Sequence, residues 1–380
     1  MIYLDNSATT QPFEEVILAM DACMRSQYFN VSAAYAPALE AEKKVRQVRA
    51  ALARELGCSE KGIVFTAGGT ESDNMAILGT AQKLRRPARF LYSAVEHPAV
   101  AATMERVRRL GHDVQTLRID GEGRVDLEAF SKLMTGDTAM VSVMQVNNET
   151  GAVQPVEEIA ALARQRNPEV VVHCDGVQGF LRVPFKMKNV DLYALSGHKF
   201  HGPKGIGALA MSQRVRPVPL LSGGGQEDGL RSGTLNSPAI LGMGCALEKM
   251  KDGDTAGRLR KLKERLAGKL QVQGVHFNGP DPFDPVHSAP HILSVRFDGV
   301  RGEVMRNALE GYGILVSTGS ACSSHKQKVS AGIQALGLNQ EQADGTVRIS
   351  LGAFNTEEEM DEAAACMIKT AEALSRFRRR

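Results

Sequence analysis

The chain has 380 residues, 43% of them hydrophobic, and a formal net charge of +3. This length excludes one small domain and is typical of a two-domain enzyme or one large α/β unit. The nearly balanced charge does not indicate a nucleic-acid-binding protein. The basic C-terminal stretch SRFRRR is typical of a solvated terminus.

The six cysteines form no C-x-x-C pair, so they indicate neither a zinc site nor a disulfide framework. Scattered thiols in a chain of this length fit a reducing compartment, and we expect a cytoplasmic protein. The first ten residues, MIYLDNSATT, are typical of a strand and a turn and indicate no signal or transit peptide. No apolar run approaches the length that crosses a bilayer, so no membrane partner is expected.

In chain order, the first clear element is a helix over residues 37–56, where Val45, Val48, Leu52 and Leu56 recur at helical spacing. Gly57 is the expected helix-ending residue. Short β-runs then alternate with helical stretches. The β-runs are GIVFTAGG, RFLYSA, DVQTLRI, TAMVSVMQV, EVVVHCDG, DLYALSG and GIGALAM. This alternation predicts an α/β fold with a mainly parallel sheet and helices on both faces.

The pattern changes after residues 237–270, which indicate a long helix with a break near Gly253. Beyond this helix, the β-runs HILSVRF, GILVS and TVRISL are mixed with helices and predict a smaller α+β domain. The first dozen residues are expected to pack with it. We therefore predict a large domain over residues 14–255 and a small domain formed by residues 1–13 and 256–380.

Polar residues follow the predicted strands, at the edge where ligands bind in open α/β sheets. These residues are Gly68-Gly69-Thr70, Glu96-His97, Asn147-Asn148-Glu149, Asp175 with Gln178, and Ser196-Gly197-His198-Lys199. Because the carboxyl ends of parallel strands share one edge of a sheet, we expect these side chains to form one site.

Three of these groups suggest a specific chemistry. The glycine pair lets the backbone approach an anion, which Thr70 and a helix N-terminus can bind. Asp175 ends a hydrophobic strand and needs a cation, such as a protonated pyridine nitrogen. Lys199 in a crowded pocket would lose proton affinity and could attack a carbonyl. Each group alone more often has a plain role, as a helix start, a turn cap or a solvated charge. Together they predict a pyridoxal phosphate site.

The motifs, taken in order, carry a family resemblance. They are YLDNSATT, FTAGGTESDN, EHPAV, VNNETG, CDGVQ, SGHKFHGPKGIG, GGGQEDGLRSGTLN, STGSACSS and VRISLGAFNTEEE. With these motifs the chain resembles the cysteine desulfurases of the NifS/IscS kind, within the class V aminotransferase group of fold-type I pyridoxal phosphate enzymes. The resemblance covers nearly the whole chain. It implies a homodimer and a large cofactor-binding domain with a seven-stranded sheet.

The resemblance also implies residue roles. Lys199 would form the internal aldimine, His97 would lie over the pyridine ring and handle protons, and Asp175 would pair with the ring nitrogen. The phosphate is expected to contact Gly69, Thr70, Ser196, His198 and, from the other subunit, Thr234. The ring oxygen is expected to contact Asn148 and Gln178. The substrate is expected to contact Arg348 and Asn148. A planar guanidinium suits the substrate carboxylate. His201 has no derived role and is expected to pack.

Cys322 is the candidate nucleophile. Its surroundings, STGSACSSHKQKVS, are small and polar and are typical of a mobile loop. Nearby Lys326 and Lys328 would favour the thiolate, whereas Cys245 has the apolar neighbours of a core residue. Cys174 lies beside Asp175, but strand alternation should turn its side chain to the opposite face. A free cysteine is usually a core residue, and the family resemblance favours Cys322 as the persulfide carrier.

The resemblance implies conversion of L-cysteine to L-alanine, with sulfur passing to Cys322 as a persulfide. Acceptor proteins for iron–sulfur clusters, thiolated tRNA or a sulfur-containing cofactor would then take the sulfur. No metal site is expected, although Cys322 could transiently ligate an iron–sulfur cluster, and no direct nucleic-acid contact is expected. The alternatives are a selenocysteine lyase, a class V aminotransferase, or a sulfur-relay scaffold without catalysis. Intact Lys199, His97 and Asp175 argue against the scaffold.

Overall fold

The computed structural model describes residues 1–318 and 331–377. The strands are β1 (Ile2–Tyr3), β2 (Ile63–Thr66), β3 (Arg89–Ser93), β4 (Asp113–Leu117), β5 (Thr138–Ser142), β6 (Val171–Asp175), β7 (Leu192–Ser196), β8 (Gly207–Met211), β9 (Val275–Phe277), β10 (Ile292–Phe297), β11 (Ile314–Leu315) and β12 (Thr346–Ser350). In the described part of the chain, no helix is long and apolar enough to cross a membrane.

The helices surround these strands. They are α1 (Glu14–Ser26), α2 (Ala36–Leu56), α3 (Gly69–Ala81), α4 (Pro98–Arg109), α5 (Leu127–Leu133), α6 (Val156–Arg166), α7 (Ser237–Lys251), α8 (Thr255–Lys269), α9 (Gly302–Gly311), α10 (Ala331–Ala335), α11 (Gln340–Asp344) and α12 (Glu357–Phe377). Local signals set several bounds. Helix α2 ends at Gly57, whose φ of 70° is the left-handed conformation that glycine adopts readily. The expected break near Gly253 separates α7 from α8.

Seven strands form one sheet in the order β2-β8-β7-β6-β5-β3-β4. Strands β7, β6, β5, β3 and β4 run parallel, whereas β8 is antiparallel to both β7 and β2. The expectation of a mainly parallel sheet flanked by helices is confirmed, and β8 is an exception to the parallel order. Its direction follows from the connection after β7, which is too short for the crossover that a parallel strand requires.

Separate apolar cores pack around the sheets. One core lies between the large sheet and helices that include α2, α6 and α7, and another lies under α3 and α4. A further core unites α8, α9 and α12 with the three-stranded antiparallel sheet β12-β10-β9. Leu4 belongs to this last core, and β1 pairs in parallel with β11. The smaller α+β unit is therefore present, while its exact limits at residues 13 and 256 stay a prediction.

Candidate active site

The carboxyl ends of the parallel strands open into a cavity of about 360 Å³. Most of the predicted site residues line it: Gly69, Thr70, His97, Asn148, Asp175, Gln178, Ser196, His198, Lys199 and Arg348. Residues more than 250 positions apart in the chain thus line one cavity. Thr234 does not line this cavity and is exposed on the same protomer. Cys322 lies outside the described residues.

The turn between β2 and α3 forms one end of the cavity. Gly68 adopts φ 153° and ψ −175°, a conformation that is essentially restricted to glycine. A side chain on Gly207 of neighbouring strand β8 would come within 2.7 Å of the Gly68 backbone, so this close approach requires glycine at position 207. Helix α3 starts at Gly69 and directs its first N–H groups and dipole toward the cavity, as an anion site requires.

His198 and Ser196 add side chains to the same end of the cavity. Ser196 ends β7 and is 4% exposed. The Nδ1 atom of His198 lies 3.1 Å from the hydroxyl of Thr9. Burial, assisted by the charges of Lys199 and Lys204, lowers the pKa of His198 to about 4. The imidazole is therefore neutral at pH 7 and offers a hydrogen bond without adding a charge.

Lys199 ends a short 3₁₀ turn, Gly197–Lys199, that follows β7 directly. Its Nζ atom donates to the backbone carbonyls of Ser7 at 2.7 Å and Ala8 at 2.8 Å. The backbone N–H of Ser7 donates in turn to the hydroxyl of Ser350 in β12. The N-terminal segment therefore runs between the lysine and the smaller unit and fixes the lysine head group.

Asp175 and His97 form the opposite wall. Asp175 is 5% exposed, and its Oδ1 accepts a 2.9 Å bond from the Val177 N–H. Burial raises the pKa of Asp175; the Val177 N–H and the charge of Lys199 oppose that rise, as a protonated His97 would. His97 caps α4, and its Nδ1 accepts from the Ala99 N–H at 3.1 Å. Burial lowers the pKa of His97, so the neutral ring carries its proton on Nε2.

Arg348 reaches the cavity from β12 of the smaller unit. It is 4% exposed, and its guanidinium donates to the carboxylate of Asp5 at 2.7 Å and to the backbone carbonyl of Asn148 at 3.0 Å. Gln178 donates from Nε2 to the Ser7 carbonyl at 2.9 Å. Its Oε1 is buried and has no hydrogen-bond partner within the described residues. That oxygen is an acceptor that a bound hydroxyl group would satisfy.

Further cavity residues had no assigned role at the sequence level. They are Ser7, Ala8, Asp73, Met144, Val146 and Val177. Ser7 and Ala8 lie within the motif YLDNSATT and Asp73 within FTAGGTESDN, so the motifs were the available signal. Ser7 and Ala8 contribute backbone carbonyls, however. Every residue has such a carbonyl, so the residue type could not indicate this role.

His201 and Cys174 were expected to lie outside the site, and both do. His201 is 1% exposed; its Nε2 accepts from the Ala353 N–H at 3.0 Å, so Nδ1 carries the proton and donates to the Gln11 carbonyl at 2.7 Å. It packs, and it ties the N-terminal segment to the C-terminal unit. Cys174 is fully buried in the core on the sheet face away from Asp175.

Comparisons with known proteins agree with this geometry. The family model of class-V aminotransferases matches residues 2–362. Cysteine desulfurase IscS of Anaeromyxobacter dehalogenans is 40% identical over 372 residues, which cover 95% of this chain and 90% of the relative. The structure of a NifS-like protein superposes with a TM-score of 0.90 at 37% identity, covering 98% of this chain and 99% of the other.

A second solved structure, SspA in complex with cysteine, is 31% identical with a TM-score of 0.83 and covers 94% of this chain and 100% of the other. The similarity spans both the large sheet and the smaller unit, and therefore every described wall of the cavity. The chain belongs to the class-V aminotransferases, among the cysteine desulfurases of the IscS and NifS kind.

Proposed function

We propose that this protein is a pyridoxal phosphate-dependent cysteine desulfurase, which converts L-cysteine to L-alanine and passes the sulfur to its own Cys322. The observation that carries the proposal is the cavity itself. Lys199, Asp175 and Arg348 line it together, in a chain similar to a cysteine desulfurase and to a protein solved with cysteine.

The residues present fit pyridoxal phosphate. The turn at Gly68 and the start of α3 suit its phosphate, with Thr70, Ser196 and His198 as further donors. The buried Oε1 of Gln178, for which the described chain offers no hydrogen-bond partner, suits the ring hydroxyl. The buried carboxylate of Asp175 suits a protonated ring nitrogen, because that cation would offset the cost of burial. When bound, the cofactor supplies an electron sink for the α-carbon of an amino acid.

The chain's own groups would then bind the substrate and move its protons. Arg348 would hold the substrate carboxylate, assisted by Asn148. Lys199 is the candidate base at the α-carbon, since an amine freed from its two carbonyl partners can accept a proton. His97 holds its proton on Nε2 and accepts a backbone bond at Nδ1, so it suits donating a hydrogen bond better than abstracting a proton.

Sulfur transfer would occur at Cys322. The Cys322 sulfur bonds to the substrate sulfur, the carbon–sulfur bond of cysteine breaks, and the carbon takes up a proton. The products are alanine and a persulfide on Cys322, so atoms and electrons balance without an external oxidant. We propose that this persulfide serves acceptor proteins for iron–sulfur clusters, thiolated tRNA or a sulfur-containing cofactor. We also propose that the enzyme acts in the cytoplasm as a homodimer, to which Thr234 contributes across the interface.

The test is to measure alanine and sulfide formed from L-cysteine by wild type, Cys322→Ser and the control Cys245→Ser. We expect wild type and Cys245→Ser to release both products, and mass analysis should find the extra sulfur on Cys322. Cys322→Ser should bind cysteine and release almost no alanine. Full turnover in Cys322→Ser would favour a lyase, and a keto acid in place of alanine would favour an aminotransferase. No product from the wild type would favour a scaffold.

A further inference from the structure

Asp73 is a buried carboxyl group at the cavity wall to which the proposed reaction assigns no role. It lies one turn into α3, three residues after Thr70, and is 1% exposed. Its Oδ1 has no hydrogen-bond partner among the described residues. A carboxyl group in this setting is costly unless it is protonated or paired with a cation.

A buried histidine, His173, lies beside Asp73. Nε2 of His173 lies 3.4 Å from Oδ1 of Asp73, and it too has no hydrogen-bond partner in the described part of the chain. The other ring nitrogen, Nδ1, lies 2.8 Å from the hydroxyl of Ser142 in β5. His173 is fully buried in β6, two residues before Asp175, so both side chains lie on the same face of the sheet.

His173 cannot supply the cation that an ionised Asp73 would need. Burial lowers the pKa of His173 to about 3, so its ring is neutral at pH 7. Burial also raises the pKa of Asp73, and the charges of Asp175 and Glu96 raise it further. Glu96 approaches from the turn before α4, and its Oε1 accepts from the Ser93 hydroxyl and the Met144 N–H, each at 2.6 Å. Its Oε2 is buried and has no hydrogen-bond partner within residues 1–318 and 331–377.

These carboxyl groups cannot all be ionised together, because like charges in a shared buried site repel. Asp175 is the group whose anion is stabilised by the Val177 N–H and by the charge of Lys199. Burial raises the pKa of Glu96 to about 8, so it is mostly protonated at pH 7. A protonated Asp73 leaves Asp175 as the carboxylate that faces the cofactor. With the ring proton of His173 on Nδ1, toward the Ser142 hydroxyl, Nε2 is the acceptor for the Asp73 hydrogen.

We propose that Asp73 holds its carboxylic proton against Nε2 of His173, and that this neutral pair orients Asp175 toward the cofactor. The pair links two elements that would hold opposite ends of the cofactor. Helix α3 begins at the phosphate turn, and β6 ends at the carboxylate for the ring nitrogen. Asp73 and His173 are thus positioning residues that act through α3 and Asp175. This role rests on the proposed function, because it requires the cofactor to occupy the cavity.

The protonation of Asp73 can be tested without the cofactor. Infrared spectra of the cofactor-free wild type and Asp73→Asn, recorded at pH 7, should differ by the carbonyl band of one protonated carboxylic acid. Glu96→Gln is the matched control and should remove a second, separate band. A difference spectrum that instead shows loss of a carboxylate band would mean that Asp73 is ionised, which overturns the proposal. This readout does not depend on whether the protein desulfurates cysteine.

The positioning role can be tested by cofactor affinity, measured by equilibrium dialysis. Asp73→Leu preserves the volume but leaves Nε2 of His173 without a partner, so we expect cofactor binding about 10-fold weaker than in Asp73→Asn, whose amide can donate to Nε2. Equal affinities for the two variants would exclude the positioning role. If Asp73→Leu fails to fold, His173→Phe compared with His173→Gln gives the same comparison, with the glutamine variant expected to bind more tightly.

Discussion

The Nζ atom of Lys199 donates to two backbone carbonyls of the N-terminal segment, those of Ser7 and Ala8. These two carbonyls give the Lys199 amine a defined position when it is not bound to the cofactor. Backbone oxygens cannot be removed by substitution, and the lysine is therefore the group to change.

We predict that borohydride reduction of the wild-type enzyme with pyridoxal phosphate fixes the cofactor on the peptide that contains Lys199. Lys199→Ala should carry no fixed cofactor, because no other cavity-lining residue in the described part of the chain is an amine. Lys204→Ala is the matched control, since Lys204 is exposed five residues away, and it should label like wild type. Peptide mass analysis makes the comparison, and equal labelling of Lys199→Ala would contradict the assignment.

Arg348 already has a carboxylate partner before any substrate binds. Its guanidinium contacts Asp5 at 2.7 Å, and the Asp5 side chain is 21% exposed while that of Arg348 is 5% exposed. A substrate carboxylate at Arg348 would therefore lie beside a second negative charge. Like charges repel, and the repulsion is strong where the site is partly desolvated.

We predict that Asp5→Asn lowers the KM for L-cysteine several-fold with a smaller change in kcat. The amide oxygen can still accept from Arg348, so the guanidinium keeps its place while the competing charge is lost. Asp21→Asn is the control, because the exposed Asp21–Arg25 pair lies on α1 outside the lining of the cavity. Steady-state kinetics separate the two constants. A raised KM would mean that the charge of Asp5 is needed to hold Arg348.

At the scale of elements, the segment before Thr234 is held firmly although it lies on the surface. Glu227 pairs with Arg49 at 2.6 Å and accepts from the Phe65 N–H at 2.7 Å. Glu227 and Asp228 both have φ near 54°, a conformation that costs a non-glycine residue about 1 kcal/mol or more. The part-buried Arg49–Glu227 pair holds Glu227 in this conformation. Gly233, next to the exposed Thr234, donates its N–H to the Gln226 side chain at 2.9 Å.

We predict that mixing Lys199→Ala and Thr234→Ala subunits restores one working site per heterodimer. If Thr234 acts across the interface, the site with the intact lysine also receives the intact threonine from its partner. Activity is measured after subunit exchange, and each variant alone serves as the control. If both sites of the heterodimer stay impaired, Thr234 acts within its own chain or has no role at the cofactor.

At the scale of the whole molecule, the smaller unit buries a lysine amine in its core. Lys263 in α8 is fully buried, and its Nζ donates to the Ser288 hydroxyl and the Ala289 carbonyl, each at 2.7 Å. Burial lowers the pKa of Lys263 from 10.5 to about 7. Between these values the unfolded chain binds a proton that the folded chain has released. The contribution of Lys263 to the free energy of unfolding therefore rises with pH from about 7 to 10.5, by at most about 1.4 kcal/mol per pH unit.

We predict that Lys263→Met removes part of the pH dependence of stability between pH 7.5 and 9.5. Methionine has a similar length and no titrating group, so the wild type should gain stability relative to the variant as the pH rises. Lys261→Met is the matched control, because Lys261 is exposed two residues away on the same helix. Urea denaturation midpoints at several pH values give the comparison. Parallel curves for wild type and Lys263→Met would show that Lys263 titrates as an ordinary lysine.

Local sequence determined much of this protein. Helical spacing and Gly57 fix the course of α2, and apolar runs mark the strands of the large sheet, because these features depend on neighbouring residues. The cluster of polar strand ends was also predictable, since parallel strands end at one edge. The ordered motifs identified the family, and with it the expected roles of Lys199, Asp175 and Arg348.

Only the tertiary structure decided the strand directions, contacts and burial that involve residues far apart in the chain. Strand β8 runs antiparallel to β7 because of how the chain returns to the sheet. The carbonyls of Ser7 and Ala8 reach Lys199 from almost 200 residues away in the chain. Asp73 likewise meets His173 only in the folded chain. In the sequence LRKLKERL, Lys263 looks like any solvent-facing lysine of an amphipathic helix. Its burial follows from packing against residues 288 and 289. Residue type and spacing encode local conformation, whereas the charge state and partners of a buried group are set only when the folded chain brings its surroundings together.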